Sequence, residues 1–442
     1  MAKKKELTPE EKLQQAIVPK EEQPYPLPEG WRWVRLESIC EVIMGQSPNG
    51  VETTDDSSYI PLIGGAADMG ELYLQPHQYT KKPTKISKAD DLILCIRATL
   101  GRPNFADGEY CLGRGVAAIR SNLCSKEFLR YMFLNFEQYL YDNATGSTFL
   151  SIGSSALKSM PVPFPSQTEQ IQIVEKINSY YQRLDEASKL IQHVLNLSEK
   201  RKAAILHKAF TGELTTQWRR EHSVGMESWE KTILKNVCKV NPKKINTNGL
   251  SDNLEVSFFP MASLSETSGE ITKPKTKLLK DVRTGFTNFL EGDVVFAKIT
   301  PCMENGKSAI IGKLVNDIGY GTTEFYVLRC GEKLYNRYLY HIVRDIAFRN
   351  KAKSVMVGAV GQQRVPKSFM EDYLLNLPSV CEQKKIVQIL DDFFVKEIQV
   401  KKAAEGVIEQ IKLIQKGILG CAFRGELDNN NFSKACEEEP LK

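Results

Sequence analysis

The chain has 442 residues, 42% hydrophobic and 26% charged, with a net charge of +5. That is enough for two to four ordinary globular domains, and it excludes a disordered or collagen-like chain. There is no apolar run of membrane-span length, and the ten cysteines show no C-x-x-C or Cys/His ligand spacing, so a reduced, cytoplasmic compartment is expected rather than a disulfide framework or a zinc site.

The first 29 residues form an arm. Lysines open it, and a short helix capped by Thr8, Pro9 and Glu11 is expected next. Pro24, Pro26 and Pro28 then stiffen the connector. Residues 30–164 carry short apolar runs (YIPLIGG, DLILCIRATLG, GVAAIR) bounded by Gly, Pro, Asn and Asp, the pattern of a mixed sheet with tight turns. A helix is expected over 125–141, followed by a Gly/Ser loop and a Pro-rich strand.

Residues 165–214 and 378–427 are two copies of one element, offset by 213 without a gap. Pro165-Ser166, Glu169-Gln170 and Ile173-Val174 recur as Pro378-Ser379, Glu382-Gln383 and Ile386-Val387, and Gly212-Glu213-Leu214 recurs as Gly425-Glu426-Leu427. An internal repeat of this length governs the reading of everything between. Ser166 with Glu169, and Ser379 with Glu382, have capping-box spacing; Gly212 and Gly425 sit where a left-handed residue would stop a helix. Between the caps runs a 3.5-residue apolar repeat. It includes Ile177, Leu184 and Ile191 in the first copy and Leu390, Phe393 and Ile411 in the second, where Glu397 alone breaks it. Such a repeat is a coiled-coil seam, and a helix of roughly forty residues spans about 60 Å, too long to stand without a partner. The other copy is the obvious one.

Residues 228–377 repeat the order of 30–164 with little identity. Trp229, Cys238 and Val240 follow Trp31, Cys40 and Val42 by 198 residues, and DVVFAKITP takes the place of DLILCIRATLG. A second helix, LYNRYLYHIVRDIAFRNKA, precedes a second Gly loop and a Pro-ended strand. Residues 428–442 read as a disordered acidic tail. The expected fold is therefore α/β (α+β): two mixed domains alternating with two long helices that pair as an antiparallel coiled coil, a pseudo-two-fold internal repeat.

Catalytic constellations are missing. Gly306-Lys307-Ser308 ends like a phosphate loop, but Pro301 stands where that motif requires Gly. The chain contains no amino-methyltransferase box, G-x-S-x-G elbow or H-E-x-x-H pair. No metal site is expected, and the chain is not expected to be an enzyme. Local charge is more informative. Lysines and arginines cluster over 73–102, 271–283 and 344–367, and basic stretches on both mixed segments suit phosphate contact. Gln362-Gln363-Arg364, in a Gly loop, offers side chains able to pair bidentately with purine edges.

In this architecture the chain resembles the DNA-specificity subunits of type I restriction–modification systems. The resemblance rests on the domain–helix alternation and on local wording. G-Q-S-P stands at Gly45–Pro48, A-F-x-G-E-L closes both helices, and DVVFAKITPCMENGK at Asp293–Lys307 precedes GYGTTEF at Gly319–Phe325. It implies that residues 30–164 and 228–377 are target-recognition domains and that 165–214 and 378–427 are conserved helical regions. It further implies recognition of a bipartite, asymmetric duplex DNA site, with two methyltransferase subunits as partners. Those subunits would bring S-adenosylmethionine, the chain having no cofactor of its own, and an ATP-driven restriction subunit would complete the assembly. Candidate DNA contacts are Gln46, Ser47, Arg97, Arg102, Asn104, Arg114 and Thr148 in the first domain, by loop position, and Lys298, Lys307, Thr322, Gln362, Gln363 and Arg364 in the second. Two other readings stand beside this one. One is a coiled-coil adaptor that presents two domains to protein partners; the other is an enzyme with a divergent site.

Overall fold

A computed structural model describes residues 17–121, 123–266, 269–359 and 361–427. The expected helix at Thr8–Glu11 and the acidic tail lie outside the described residues. The chain divides into two compact units: residues up to Gln192 together with those from Glu405 onward, and His193–Ala404. Each unit contains one mixed domain and parts of both long helices.

The two domains share one strand order. In the first, Glu41–Met44 pairs with Val116–Arg120, which pairs with Leu92–Arg97, which pairs with Thr99–Phe105, all antiparallel. In the second, Cys238–Val240, Phe325–Cys330, Val294–Ala297 and Ser308–Ile310 follow the same sequence of neighbours. A second sheet in each domain contains one parallel pair: Ile60–Ile63 with Cys111–Leu112, and Glu255–Phe259 with Gly319–Gly321. The near-continuous apolar runs are the central strands. Leu92–Ile96 and Val294–Ala297 are buried along their length because both sheet faces are covered. One ion pair recurs between the two inner strands of this sheet: Arg120 reaches the buried Asp91 carboxylate at 2.7 Å, and Arg329 reaches the buried Asp293 carboxylate at 2.7 Å.

The helices expected over 125–141 and after Leu334 are each interrupted. The first becomes Lys126–Asn135 and Glu137–Asp142. The second becomes Asn336–Arg344 and Ile346–Ser354, because the Asp345 carboxylate accepts the Ala347 N–H and starts a new N-terminus.

The repeated segments are helical and stop where expected, with Gly212 at φ 84° and Gly425 at φ 73°. The second is a single helix, Val380–Arg424, whereas the first is divided into Gln167–Asn196 and Ser198–Thr211. Near the division the Arg201 guanidinium donates to the Val194 carbonyl at 3.1 Å. The first capping box is complete, Ser166 N–H donating to the Glu169 carboxylate and Glu169 N–H to the Ser166 hydroxyl. The second is half a box. Glu382 N–H donates to Ser379 Oγ, but the Glu382 carboxylate turns inward. There it accepts from Arg219 (2.6 Å), Thr215 (2.7 Å) and the Trp229 indole N–H (3.0 Å).

Packing inside each unit follows the caps. In the first unit Ile173 and Ile177 share a core with Ile418, Leu419 and Phe423, and Tyr181 donates to the Gln415 carbonyl. In the second, Leu206 and Ala209 share a core with Ile386, Val387 and Leu390. Contacts there run antiparallel: Thr215 meets Glu382, and Ser198 and Arg201 meet Glu397. The residue that breaks the apolar repeat thus faces two polar seam positions of the other helix.

Of the expected seam, Ile177, Leu390 and Ile411 are buried, while Leu184, Ile191 and Phe393 are half-buried. Val194, Val400 and Val407 fall on the same apolar repeat yet are each about 40% exposed. The difference has a cause: Ile177 and Leu390 belong to clusters built largely from domain side chains. At Ile177 and Leu390 the seam is sealed by the domain that packs on it.

Two tests follow from these buried polar groups. Arg219→Ala leaves the Glu382 carboxylate buried without its cation and is expected to cost about 3–5 kcal/mol, read as a lower urea midpoint for the His193–Ala404 unit. The hydrogen bonds from Arg201 hold the Glu397 carboxyl below its usual range. A depressed carboxyl stabilises the fold above its unfolded value of about 4.3 and loses that contribution as pH falls through the folded value. The difference in melting temperature between the native chain and Glu397→Gln should therefore shrink below about pH 4; a constant difference would refute the pairing.

Candidate nucleic-acid interface

Both domains project a short hairpin from the same place beside their central sheet. In the second, Val357 and Arg364 exchange backbone hydrogen bonds (3.0 and 2.8 Å), and Thr300 N–H donates to the Gln363 carbonyl at 3.0 Å. Gly358 has φ 128° and Gly361 has φ 80°, so the turn needs glycine there. In the first, Thr145 and Ser151 exchange backbone bonds (2.8 and 2.9 Å), and Ala98 N–H donates to the Leu150 carbonyl at 2.8 Å. Gly146, at φ 121°, takes the place of Gly358. Leu150 and Gln363 therefore hold equivalent positions, as do Phe149 and Gln362.

The hairpin residues separate into anchors and displayed groups. Arg364 is an anchor: its guanidinium is on Glu324 (2.9–3.2 Å) and on the Gln362 carbonyl, and the Glu324 carboxyl is held below its ordinary value by that hydrogen bonding. Thr322 supports the same group by accepting the Glu324 N–H. Gln362 is exposed and Gln363 half-exposed, with backbones fixed by the hairpin. Lys298 lies alongside, tied by its backbone to Glu324 and Val365, with its ammonium 5.7 Å from the Tyr326 ring centre. Lys307 pairs with Glu266 at 3.5 Å and its side chain is only 15% exposed. Arg364 and Lys307, expected to meet DNA, are thus engaged within the protein, because a carboxylate stands in reach of each.

In the first domain Thr148 and Arg97 are exposed beside the hairpin. Gln46 and Ser47 form a second loop, where Gln46 N–H donates to Leu112 and Ser47 Oγ accepts from the Arg114 N–H and guanidinium (3.0 and 3.4 Å). A Cβ at Gly45 would strike the Gly113 and Val116 carbonyls, so the backbone of that loop must be bare there. The side chains of Gln46 and Arg114 are exposed. Asn104 is buried, its amide donating to the Gly70 carbonyl, and Arg102 donates to the carbonyls of Ala66 and Met69. Both hold the neighbouring loop in place, Asn104 from a buried position and Arg102 while still exposed.

Of the basic clusters, Lys81, Lys82, Lys85 and Lys88 are exposed, as are Lys273, Lys275 and Lys280. In the third cluster Arg344 donates to the Gly306 carbonyl and Arg349 to the Glu304 carbonyl, while Lys351, Lys353 and Lys367 are exposed. Sequence reasoning missed Phe149, whose exposed ring only the hairpin geometry makes significant. It also missed an open groove of about 500 Å³ lined by Asp55, Gly64–Asp68, His77 and Gln78. There the Asp68 carboxylate accepts the Gly64 N–H and lies 3.2 Å from the His77 ring. Among the described residues no cluster of His, Cys, Asp and Glu could hold a metal ion, and no helix is long and apolar enough to cross a membrane.

Residues 28–196 and 226–410 match the family described as type I restriction modification DNA specificity domain. The chain belongs to this family. Each matched stretch takes one mixed domain with most of the helix that follows it, so the family unit occurs twice.

The EcoAI specificity subunit of Escherichia coli is 40% identical over 162 residues, which span 36% of this chain and 27% of that protein. The chain thus matches about a quarter of that relative's length. The StySPI specificity subunit of Salmonella potsdam is 21% identical over 427 residues, covering 91% of this chain and 90% of its own. Two solved structures have the same mixed α/β fold. A chain from a study of complex assembly and conformational transition in the type I R-M system has a TM-score of 0.64 at 18% identity, covering 91% of this chain and 100% of that one. The HsdS subunit from Thermoanaerobacter tengcongensis has a TM-score of 0.59 at 20% identity, covering 92% and 99%.

If Arg364 anchors the hairpin rather than projecting from it, Arg364→Ala should speed amide hydrogen exchange over 357–364 several-fold and leave exchange in the central strands unchanged. Unaltered exchange in the hairpin would return Arg364 to the displayed set.

Proposed function

We propose that this chain is the DNA-specificity subunit of a type I restriction–modification assembly and reads a bipartite, asymmetric site in double-stranded DNA. One observation carries the reading: two domains of the same strand order present hairpins of the same build and unlike chemistry, Gln362-Gln363 in one and Thr148-Phe149-Leu150 in the other. Equal frames with unequal tips are what two half-sites of different sequence require. Candidate contacts are Gln46, Ser47, Arg97, Arg114 and Thr148 in the first domain, and Lys298, Thr322, Gln362 and Gln363 in the second. Exposed lysines supply phosphate contacts that set position without reading sequence.

In this reading the long helices pair along their length as an antiparallel coiled coil, related by a pseudo-two-fold axis. Their length fixes the number of unread base pairs between half-sites, as the spacing of dimeric readers does. Helix side chains with no role in the seam, such as Ile171, Leu190, Val395, Ile398 and Leu413, are exposed apolar groups. They suit docking of two methyltransferase subunits, which would bring S-adenosylmethionine and the catalytic groups; an ATP-driven restriction subunit would add cleavage. The adenine to be methylated would be flipped from the stack by the methyltransferase, and base contacts by this chain would decide which adenine is within reach. The chain itself performs no chemistry, and the assembly acts in the cytoplasm.

Selection from randomised duplex DNA, with this chain bound to its methyltransferase subunit, should enrich two short unlike half-sites at one fixed spacing. Exchange of residues 30–164 for the corresponding domain of another specificity subunit should change one half-site only. Gln363→Ala should relax one base pair of the other half-site by about 1–3 kcal/mol. Binding should weaken steeply with salt, the logarithmic slope growing by about 0.9 per phosphate contacted. Absence of any enriched sequence, or of salt dependence, would favour an adaptor protein.

A further inference from the structure

The hairpin of the first domain ends in apolar side chains held on a backbone-fixed tip. Phe149 is 65% exposed and Leu150 39%, on a turn whose two sides are joined by paired backbone hydrogen bonds. The backbone is committed to this presentation: Gly146 has φ 121°, and a Cβ there would collide with the Phe149 carbonyl. A bridge between Arg97 and Ser151 joins the turn to the central sheet, and Ile152 N–H donates to the Ile96 carbonyl at 3.0 Å. The tip thus keeps an aromatic ring outside the core and fixed in place, available to a partner's surface.

The surroundings identify the partner. Arg97 is exposed at the base of the tip, and Lys81, Lys82, Lys85 and Lys88 are exposed in the same domain, a charge pattern suited to a polyanion. The equivalent positions of the second domain carry Gln362 and Gln363, whose amides suit the donor–acceptor edge of a base pair. An aromatic ring and a leucine cannot read that edge. The apolar feature a base pair offers in the major groove is the C5-methyl group of thymine.

We propose that Phe149, supported by Leu150, is the specificity-determining side chain of the first domain and recognises a thymine methyl group in its half-site. This rests on the reading that the chain binds a bipartite DNA site. The tip of one domain then selects an A·T pair by apolar contact, where the other selects its base by hydrogen bonding.

The experiment uses the full chain bound to its methyltransferase subunit, with the site first defined by selection and the first domain's half-site assigned by domain exchange. Phe149→Ala is expected to lose about tenfold preference at one A·T pair of that half-site, leaving the other half-site, the melting temperature and assembly unchanged. Replacing that thymine by deoxyuridine, which lacks only the methyl group, should weaken wild-type binding to a similar extent and have no further effect on Phe149→Ala. Gln363→Ala, which acts on the opposite half-site, is the internal control.

If the wild-type complex selects two half-sites but Phe149→Ala and deoxyuridine change nothing, the proposal is overturned while the DNA-specificity reading stands. If the wild-type complex selects no sequence, that reading fails, and the proposal with it. Loss of methyltransferase binding by Phe149→Ala would overturn the proposal by making the tip a protein contact. A rise in 2-aminopurine fluorescence beside the contacted step, with no deoxyuridine effect, would make Phe149 an unstacking wedge and also overturn the methyl contact.

Discussion

In both halves a hydrogen bond between a tryptophan and a carboxylate joins the mixed domain to the long helix that follows it. Trp31 donates its indole N–H to Glu169 at 3.0 Å, and Trp229 donates to Glu382 at 3.0 Å. The tryptophans open the domains, and the carboxylates stand in the first turns of the helices. A buried carboxylate is costly unless its oxygens are satisfied. Glu382, essentially without solvent contact, meets that condition only when Trp229, Thr215 and Arg219 converge on it. The start of the domain, the start of its helix and the connector after the other helix must therefore come to one point. A chain organised to present two reading surfaces needs such a joint, since a loosely hinged domain would blur the base it reads.

The polar contact at Glu397 constrains the helices in a different way. An apolar seam tolerates a slip of one heptad at little cost, because one leucine or isoleucine replaces another. A carboxylate at a seam position does not, since any other register leaves it facing apolar side chains. Ser198 and Arg201 answer Glu397 at 2.8 and 2.7 Å. Arg201 also reaches the Val194 carbonyl, near the point where the first helix is divided. Register is thus set by one layer whose members each have a defined partner, and the apolar layers contribute stability without needing to contribute uniqueness.

Much of this architecture is legible in the sequence because it is local. The capping boxes and the glycine stops each depend on neighbours within a few residues, the 213-residue repeat shows them twice, and the helices begin and end where those signals stand. The inward turn of Glu382 was not legible, since its partners lie more than 150 residues away in sequence. The same limit governed the candidate site. Arg364 and Gln363 are adjacent and equally polar, so nothing local distinguishes an anchor from a displayed group. What separates them is Glu324, brought 40 residues back by the central sheet. Asn104 was misread for the related reason that its burial depends on the loop ending at Gly70. Phe149 was passed over because it stands in what reads as a polar Gly/Ser loop, and only the paired backbone bonds of the turn show that its ring is held in one place.

The hairpins show how one frame can carry different specificities. Gly146 and Gly358 occupy the same place, each with a φ only glycine adopts readily, and each turn is closed by paired backbone hydrogen bonds. Backbone bonds are indifferent to side-chain identity, so the tip residues can change without disturbing the turn that aims them. Fold and specificity are then encoded by separate sets of residues: glycines, ion pairs on buried carboxylates such as Asp91–Arg120 and Asp293–Arg329, and central apolar strands on one side, and a few displayed side chains on the other. Substitution at the tips costs little stability because the tips bury little. Selectivity can therefore diverge between the two halves of one chain while both continue to fold around the same joint.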